Sequence, residues 1–195
     1  PILFSGRMVR AILDGTKTQT RRVIRPQPAS PLDAMVWKQC PYGELGDRLW
    51  VRESFGFTAQ WPPSYQQQWL AERAPWLPDD ITMAYRADDP TGNWCWKPSI
   101  HMPKIYSRIT LEVVKVRVER LREITLRDAI AEGCDQPDWP RAMAMPDDTR
   151  YDVFDALEAF PFVWDAINAK RGFGWNKNPW VWVIEFQRVS TETER

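Results

Sequence analysis

The segment from Ile109 to Leu121 constrains the fold more than any other, because it reads as a strand that changes face part-way. Ile109, Leu111 and Val113 put apolar side chains on one face, and Val114, Val116 and Val118 then take over the apolar phase. Such a one-residue slip predicts a β-bulge or a sharply coiled strand, a device of small curled sheets. Trp180–Phe186 alternates Trp180, Trp182, Ile184 and Phe186 against Val181, Val183 and Glu185, which predicts a closing strand. Gly46-Asp47 reads as a turn into a half-buried strand over Arg48–Glu53, and Ile81–Ala87 as a further strand. Several non-contiguous strands without a βαβ rhythm predict an α+β fold whose sheet curls or closes into a barrel, flanked by short helices.

Residues 5–14 fit an amphipathic helix capped by Ser5, with Met8, Val9, Ile12 and Leu13 on one face and Gly15 closing it. Thr16 to Arg22 suits a strand or extended loop, and Pro26, Pro28 and Pro31 then force an irregular connection. Thr125-Leu-Arg-Asp128 starts a short helix with a Thr cap and an acid at N3, stopping at Gly133. Residues 152–170 are helical in pattern but interrupted by Pro161, with Phe154, Leu157, Phe162, Val163 and Ile167 available for the core. Trp94–Pro103 reads as an aromatic and proline loop. The expected organisation is one domain over 1–189, with insertions at about 54–103 and 134–150 and a frayed tail at 190–195.

With 44% hydrophobic residues the chain can bury a core without disulfides or metal. Three widely spaced cysteines (Cys40, Cys95, Cys134) and a lone His101 offer neither a disulfide framework nor a metal-ligand set, so no metal or cofactor is expected. No apolar run approaches a membrane span, and a cytoplasmic location without a membrane partner is the simplest expectation. The formal net charge is zero, yet residues 1–52 hold nine Lys/Arg against four acids, and residues 119–165 hold twelve acids against five Arg. That asymmetry is compatible with a basic and an acidic face, or with an ordinary mixed surface.

The run Gly15-Thr16-Lys17-Thr18-Gln19-Thr20-Arg21-Arg22 concentrates donors just beyond a helix end. Its Lys and Arg suit a phosphate or carbonyl oxygen, or else a solvated strand edge that blocks aggregation. In an ideal strand Lys17, Gln19 and Arg21 share one face, and Thr18, Thr20 and Arg22 the other. Glu132 lies at a helix C-terminus, where the macrodipole disfavours an acid, a weak hint of a task. Trp94, Trp96, Lys97, Ser99 and His101 offer aromatic rings interleaved with polar groups, which suits base stacking or plain packing of a loop.

Taken together, the run Gly15–Arg22 after a short helix, the Gly46-Asp47 turn, the segment Leu121–Gly133 and the ending Trp180–Phe186 resemble the ASCH domain family. The longer layout, with Trp96-Lys-Pro-Ser-Ile-His-Met-Pro103, is similar to ASCH proteins carried by phages and prophages. The resemblance implies a PUA-like β-barrel associated with RNA and modified bases. Some compact members hydrolyse the acetyl amide of N4-acetylcytidine with a Lys, a Thr and a Glu, without a metal. Matched motif to motif, those roles fall on Lys17, Thr20 and Glu132, with Thr18, Arg21, Arg22 and the Trp94–His101 residues as substrate or nucleic-acid contacts. A non-catalytic module for RNA or single-stranded nucleic acid, a nuclease, and an assembly role in a phage particle are the competing expectations.

Overall fold

The structure is a computed structural model that describes residues 1–30, 33, 39–58, 64, 81–134 and 156–189. Its strands are β1 (Ile2–Leu3), β2 (Gln19–Val23), β3 (Arg48–Arg52), β4 (Phe55–Thr58), β5 (Met83–Tyr85), β6 (Trp94–Lys97), β7 (Thr110–Arg120) and β8 (Trp180–Val189). They make a five-stranded sheet in the order β1-β3-β7-β8-β2 and a three-stranded sheet in the order β5-β4-β6. With helices α1 (Gly6–Leu13), α2 (Leu126–Ala131) and α3 (Ala156–Asn168), the fold class is α+β. No helix among the described residues is long and apolar enough to cross a membrane.

The chain forms two compact units, each built from discontinuous segments. The first comprises Pro1–Asp14, Arg48–Glu112 and Arg188–Arg195. In it β1 runs parallel to β3, with Ile2 opposite Val51, and β3 pairs antiparallel with the start of β7, with Leu49 opposite Leu111. Helix α1 forms where the sequence predicts it: the Ser5 hydroxyl accepts the Met8 N–H, and Val9 and Ile12 are buried. Phe55, Phe57, Ile81 and Met102 form a second small core here, against which Met83, Tyr85 and Tyr106 pack.

Two expectations change in this unit. Trp94–Lys97 is a strand, not part of a loop, because it pairs with β4 with Gly56 opposite Trp96. Glycine is required at that crossing: a Cβ on Gly56 would sit 2.9 Å from both the Trp94 Cβ and the Trp96 ring. The region expected to be an insertion therefore has its own sheet and core, although residues 59–63 and 65–80 lie outside the described set.

The second unit comprises Gly15–Asp47 and Val113–Gln187. Here β2 pairs antiparallel with β8, Gln19 facing Glu185 and Arg21 facing Val183. Leu121, Ile124, Ala129, Cys134, Phe160, Trp164, Val181 and Val183 form its core. Trp180 through Ile184 are all buried, so both faces of β8 are covered and the period-two pattern does not mark an inside and an outside there. Strand β7 is continuous through the expected face change: Val113 is buried, Val114 and Lys115 are exposed, and Val116 and Val118 are half-buried.

Helix α3 runs through Pro161 without interruption, and of the expected core residues Leu157 and Val163 pack against the core while Phe162 and Ile167 do not. Ala156, Ala159, Phe160 and Trp164 are buried, whereas Phe162 and Ile167 are 47% and 41% exposed. Phe154, most of the expected 134–150 insertion and the 190–195 tail lie outside the described residues.

Candidate active site

Lys17 lies in the five-residue passage between α1 and β2, and Gly15 makes that passage possible. Its φ of 78° is left-handed backbone, which glycine adopts without strain, and it turns the chain out of the helix. Thr18 is exposed, and its backbone is fastened on both sides: its N–H donates to Ala131 O at 2.9 Å, and its carbonyl accepts the Phe186 N–H at 2.8 Å. Lys17 is thereby held beside the end of α2. Regular pairing starts only at Gln19, so Lys17 escapes the strict alternation that would fix its face in a strand.

Glu132 caps the C-terminus of α2, whose N-terminus is set by a capping box between Thr125 and Asp128. The Lys17 Nζ donates to Glu132 Oε2 at 2.9 Å, to the Glu132 backbone carbonyl at 2.9 Å and to Gln19 O at 2.7 Å. Each of its three protons has an acceptor, one of them a helix-terminal carbonyl. Lys17 is 2% exposed and Glu132 6% exposed, so the pair is out of solvent. The unfavourable meeting of an acid with the negative helix end is thus offset by a cation that bonds both the acid and the end.

Arg21 takes the other carboxylate oxygen, Glu132 Oε1, at 3.4 Å. Its second amino group lies 3.2 Å from Glu119 Oε2 and 3.3 Å from Asp128 Oδ2. Behind it Arg117 bonds Asp128 Oδ1 at 2.8 Å and Gln19 Oε1 at 3.3 Å, and also reaches Glu119 and Glu185. Four cations (Lys17, Arg21, Lys115, Arg117) and four carboxylates (Glu119, Asp128, Glu132, Glu185) therefore share one network, with Lys115 at its exposed edge. Burial alone would push the Asp128 carboxyl up. The backbone and hydroxyl hydrogen bonds from Thr125, together with the charge of Arg21, outweigh it and hold the pKa down at about 2.

The chain matches no family model, no curated protein and no solved structure. The case for this site accordingly rests on residues and geometry.

Of the expected site residues, Lys17 and Glu132 meet directly. Thr20 is 3% exposed, and strand alternation sets it with Arg22 on the opposite face of β2 from Gln19 and Arg21. Arg21, expected among nucleic-acid contacts, is 4% exposed and turned into the acidic network. Arg22 is half-buried with its guanidinium 5.9 Å from the Tyr42 ring centre, and burial lowers its pKa. Trp94, Trp96, Lys97 and Ser99 are half-buried and His101 exposed, all in the other unit, where Arg86 lies over the Trp96 ring.

Sequence reasoning did not find Gln19, Arg117, Glu119, Asp128 and Glu185 as neighbours of the site. One signal was available: in β2 and β7 charged or amide residues (Gln19, Arg21, Arg117, Glu119) recur at period two, marking a sheet face that carries charge.

Proposed function

We propose that this chain handles nucleobases through an ASCH-type, PUA-like domain, and that Lys17 and Glu132 serve hydrolysis of an exocyclic amide of the N4-acetylcytidine kind. The observation that carries the reading is the buried 2.9 Å Lys17–Glu132 contact. It joins two motifs 115 positions apart, the same two that the family resemblance singles out. A run of β2, β3, β7 and β8 with a helix end beside the Lys-Thr-Gln-Thr segment also suits a PUA-like sheet.

The chemistry follows from the pair. Amide hydrolysis needs a base to take a proton from the attacking oxygen and an acid to protonate the leaving nitrogen. Passage of one proton from Lys17 Nζ to Glu132 Oε2 turns an ammonium–carboxylate pair into an amine and a carboxylic acid. The amine then deprotonates a water as it adds to the acyl carbon. The acid gives its proton to the exocyclic nitrogen as the C–N bond breaks, leaving acetate and cytidine. Arg21 on Oε1 holds the carboxylate so that Oε2 stays on Lys17.

Purified chain is expected to release acetate from N4-acetylcytidine without added metal, and Lys17→Ala and Glu132→Gln to abolish release while circular dichroism stays native. Full activity in either variant overturns the catalytic reading. The saturation of all three Lys17 protons favours one second reading, a module that binds a modified base without turning it over. Tight nucleoside binding with no acetate release selects it.

A further inference from the structure

We infer that Arg117 is the positioning residue of the candidate site: it sets the Lys17–Glu132 contact by holding a neighbour of each partner at once. The inference deepens the proposed hydrolysis and rests on it only for the kinetic consequence.

The hydrogen bonds of Arg117 go to residues beside the pair rather than to the pair itself. Arg117 lies on β7, and the sheet order β7-β8-β2 sets it one strand away from β2. Its Nε bonds Glu119 on its own strand and its Nη1 bonds Glu185 on β8, which root the guanidinium in the sheet. Its Nη2 then meets Gln19 Oε1 of β2 at 3.3 Å and Asp128 Oδ1 of α2 at 2.8 Å. All three nitrogens are engaged, and the partners come from three strands and a helix.

Each Nη2 acceptor leads to one member of the pair. Gln19 also supplies the backbone carbonyl that accepts from Lys17 Nζ at 2.7 Å, so pinning Gln19 pins one of the three acceptors of the ammonium. Asp128 stands one helical turn before Glu132 on the same face, and its carbonyl accepts the Glu132 N–H at 2.8 Å. A six-residue helix does not hold its own position, so tying Asp128 to the sheet ties Glu132 as well.

A planar fork suits this task and a point charge does not. Lys115, two positions earlier on β7 and 61% exposed, shows the difference, since its ion pair with Glu185 is 3.9 Å long. Removing Arg117 would leave Arg21 as the cation for both Glu119 and Asp128. The longest of the Arg21 contacts is the one to Glu132, at 3.4 Å, so Arg21 is drawn off Oε1 toward the two stranded acids. The Glu132 carboxylate can then turn, and Oε2 leaves Lys17.

The test uses the full chain labelled with nitrogen-15 at lysine. An ammonium with all three protons bonded and out of solvent exchanges slowly enough to give a proton–nitrogen signal, and the signal absent from Lys17→Met is that of Lys17. In Arg117→Met its exchange is expected to quicken about tenfold or more. Arg117→Lys keeps the charge without the fork and is expected to behave nearly as Arg117→Met does, and it decides the matter if the Met variant does not fold. Arg108→Met, a loss of stability in the other unit, is expected to leave the signal unchanged. Unchanged exchange in Arg117→Met overturns the inference, as does full recovery in Arg117→Lys or the lack of a slow Lys17 signal in the unaltered chain. In acetate release, kcat is expected to fall about tenfold or more in Arg117→Met with the nucleoside KM within about twofold. A raised KM at unchanged kcat would make Arg117 a substrate contact and overturn positioning. If the unaltered chain releases no acetate while the Lys17 signal responds as expected, the hydrolysis fails and the positioning stands.

Discussion

Each unit contains an ionic centre around a buried carboxylate, Glu53 in the first and Glu132 in the second, and the two are built on opposite plans. In the first, Arg108 alone serves two acids. It meets Glu53 through Nε and Nη2 at 2.9 and 3.0 Å, and Asp88 through Nη1 and Nη2 at 2.6 and 3.0 Å. The Tyr85 ring lies 4.0 Å from the guanidinium, and burial pushes the Tyr85 hydroxyl up to about 12, keeping it a donor to Tyr106 O. An arginine never gives up its proton near neutral pH, so this centre is a clamp. The second centre contains a lysine bonded to a carboxylate that a second cation holds from the other side. Planar bidentate pairing sets one guanidinium against two acids, whereas the Lys–Glu pair sets two cations on one carboxylate.

The largest effect should come from breaking the clamp. Glu53 is 1% exposed, and Arg108→Met leaves it without a charge partner. Stranding a buried charge costs about 3–5 kcal/mol, read as a drop in the urea midpoint of the full chain. Turnover per folded molecule should stay within twofold. A loss below ~1 kcal/mol, or a collapse of turnover with the fold intact, breaks the division of labour between the centres.

Lys17→Met should cost less, about 2 kcal/mol, because Arg21 still neutralises Glu132. Pairing it with Glu132→Leu should recover most of that stability, since an apolar pair of similar volume suits a buried site. Turnover should stay absent in the double variant. Recovery of stability without activity sharpens the contrast, and no recovery would mean that this pair is as structural as the clamp.

The clamp and the cluster also differ in how legible they were. Lys17 and Glu132 stood in recognisable local contexts, one just past a helix-closing glycine and one at the end of a capped helix, and local rules place both residues correctly. The family resemblance sets Arg21 with Arg22 among outward nucleic-acid contacts. Only pairing of β2 with β8 shows that its face is covered. The clamp was invisible, since Glu53, Asp88 and Arg108 come from separate segments and no local pattern links them. The same holds for α3. Its helical period was clear, but Phe160 and Trp164 won the core over Phe162 and Ile167 through contacts with β8 that no sequence window contains.

The two centres should respond to acid with opposite signs. Asp128 has a folded pKa near 2 against an ordinary 3.8, so its contribution is present above about 3.8 and is lost as pH falls through about 2. At 16% side-chain exposure that is worth about 2 kcal/mol. Burial raises the Glu53 carboxyl above its ordinary value against the opposing pull of Arg108, so its contribution is full below about 4.5 and lost as pH rises through the folded value. Urea midpoints measured from neutral pH downward should therefore hold or rise at first, then fall. Asp128→Asn should remove the low-pH fall, and Glu53→Gln the initial rise. The same profile in both variants would show that neither carboxyl governs it.

The smallest effect tests how the cluster is held at a distance. Helix α2 has only six residues, too few to be stable alone, so its ends decide where Glu132 sits. One end is tied by Thr18 N–H to Ala131 O and by Lys17 to the Glu132 carbonyl. The other is tied by the Thr125 hydroxyl, which accepts the Asp128 N–H at 3.2 Å and donates to Asp128 Oδ2 at 2.8 Å. Thr125→Ala should cost about 1 kcal/mol, and Thr125→Ser almost nothing. Losing the hydroxyl also removes a bond that keeps Asp128 acidic, so the low-pH fall should begin at higher pH in the Ala variant only. Thr125 is exposed and lies at the far end of the helix from Glu132, so no direct contact with a nucleoside is in question. If the cap positions Glu132, turnover should drop a few-fold in the Ala variant and return with Ser, with the nucleoside KM unchanged. Equal turnover in both variants would assign Glu132's placement wholly to Lys17, Arg21 and Arg117, and the cap would be a stability device like the clamp.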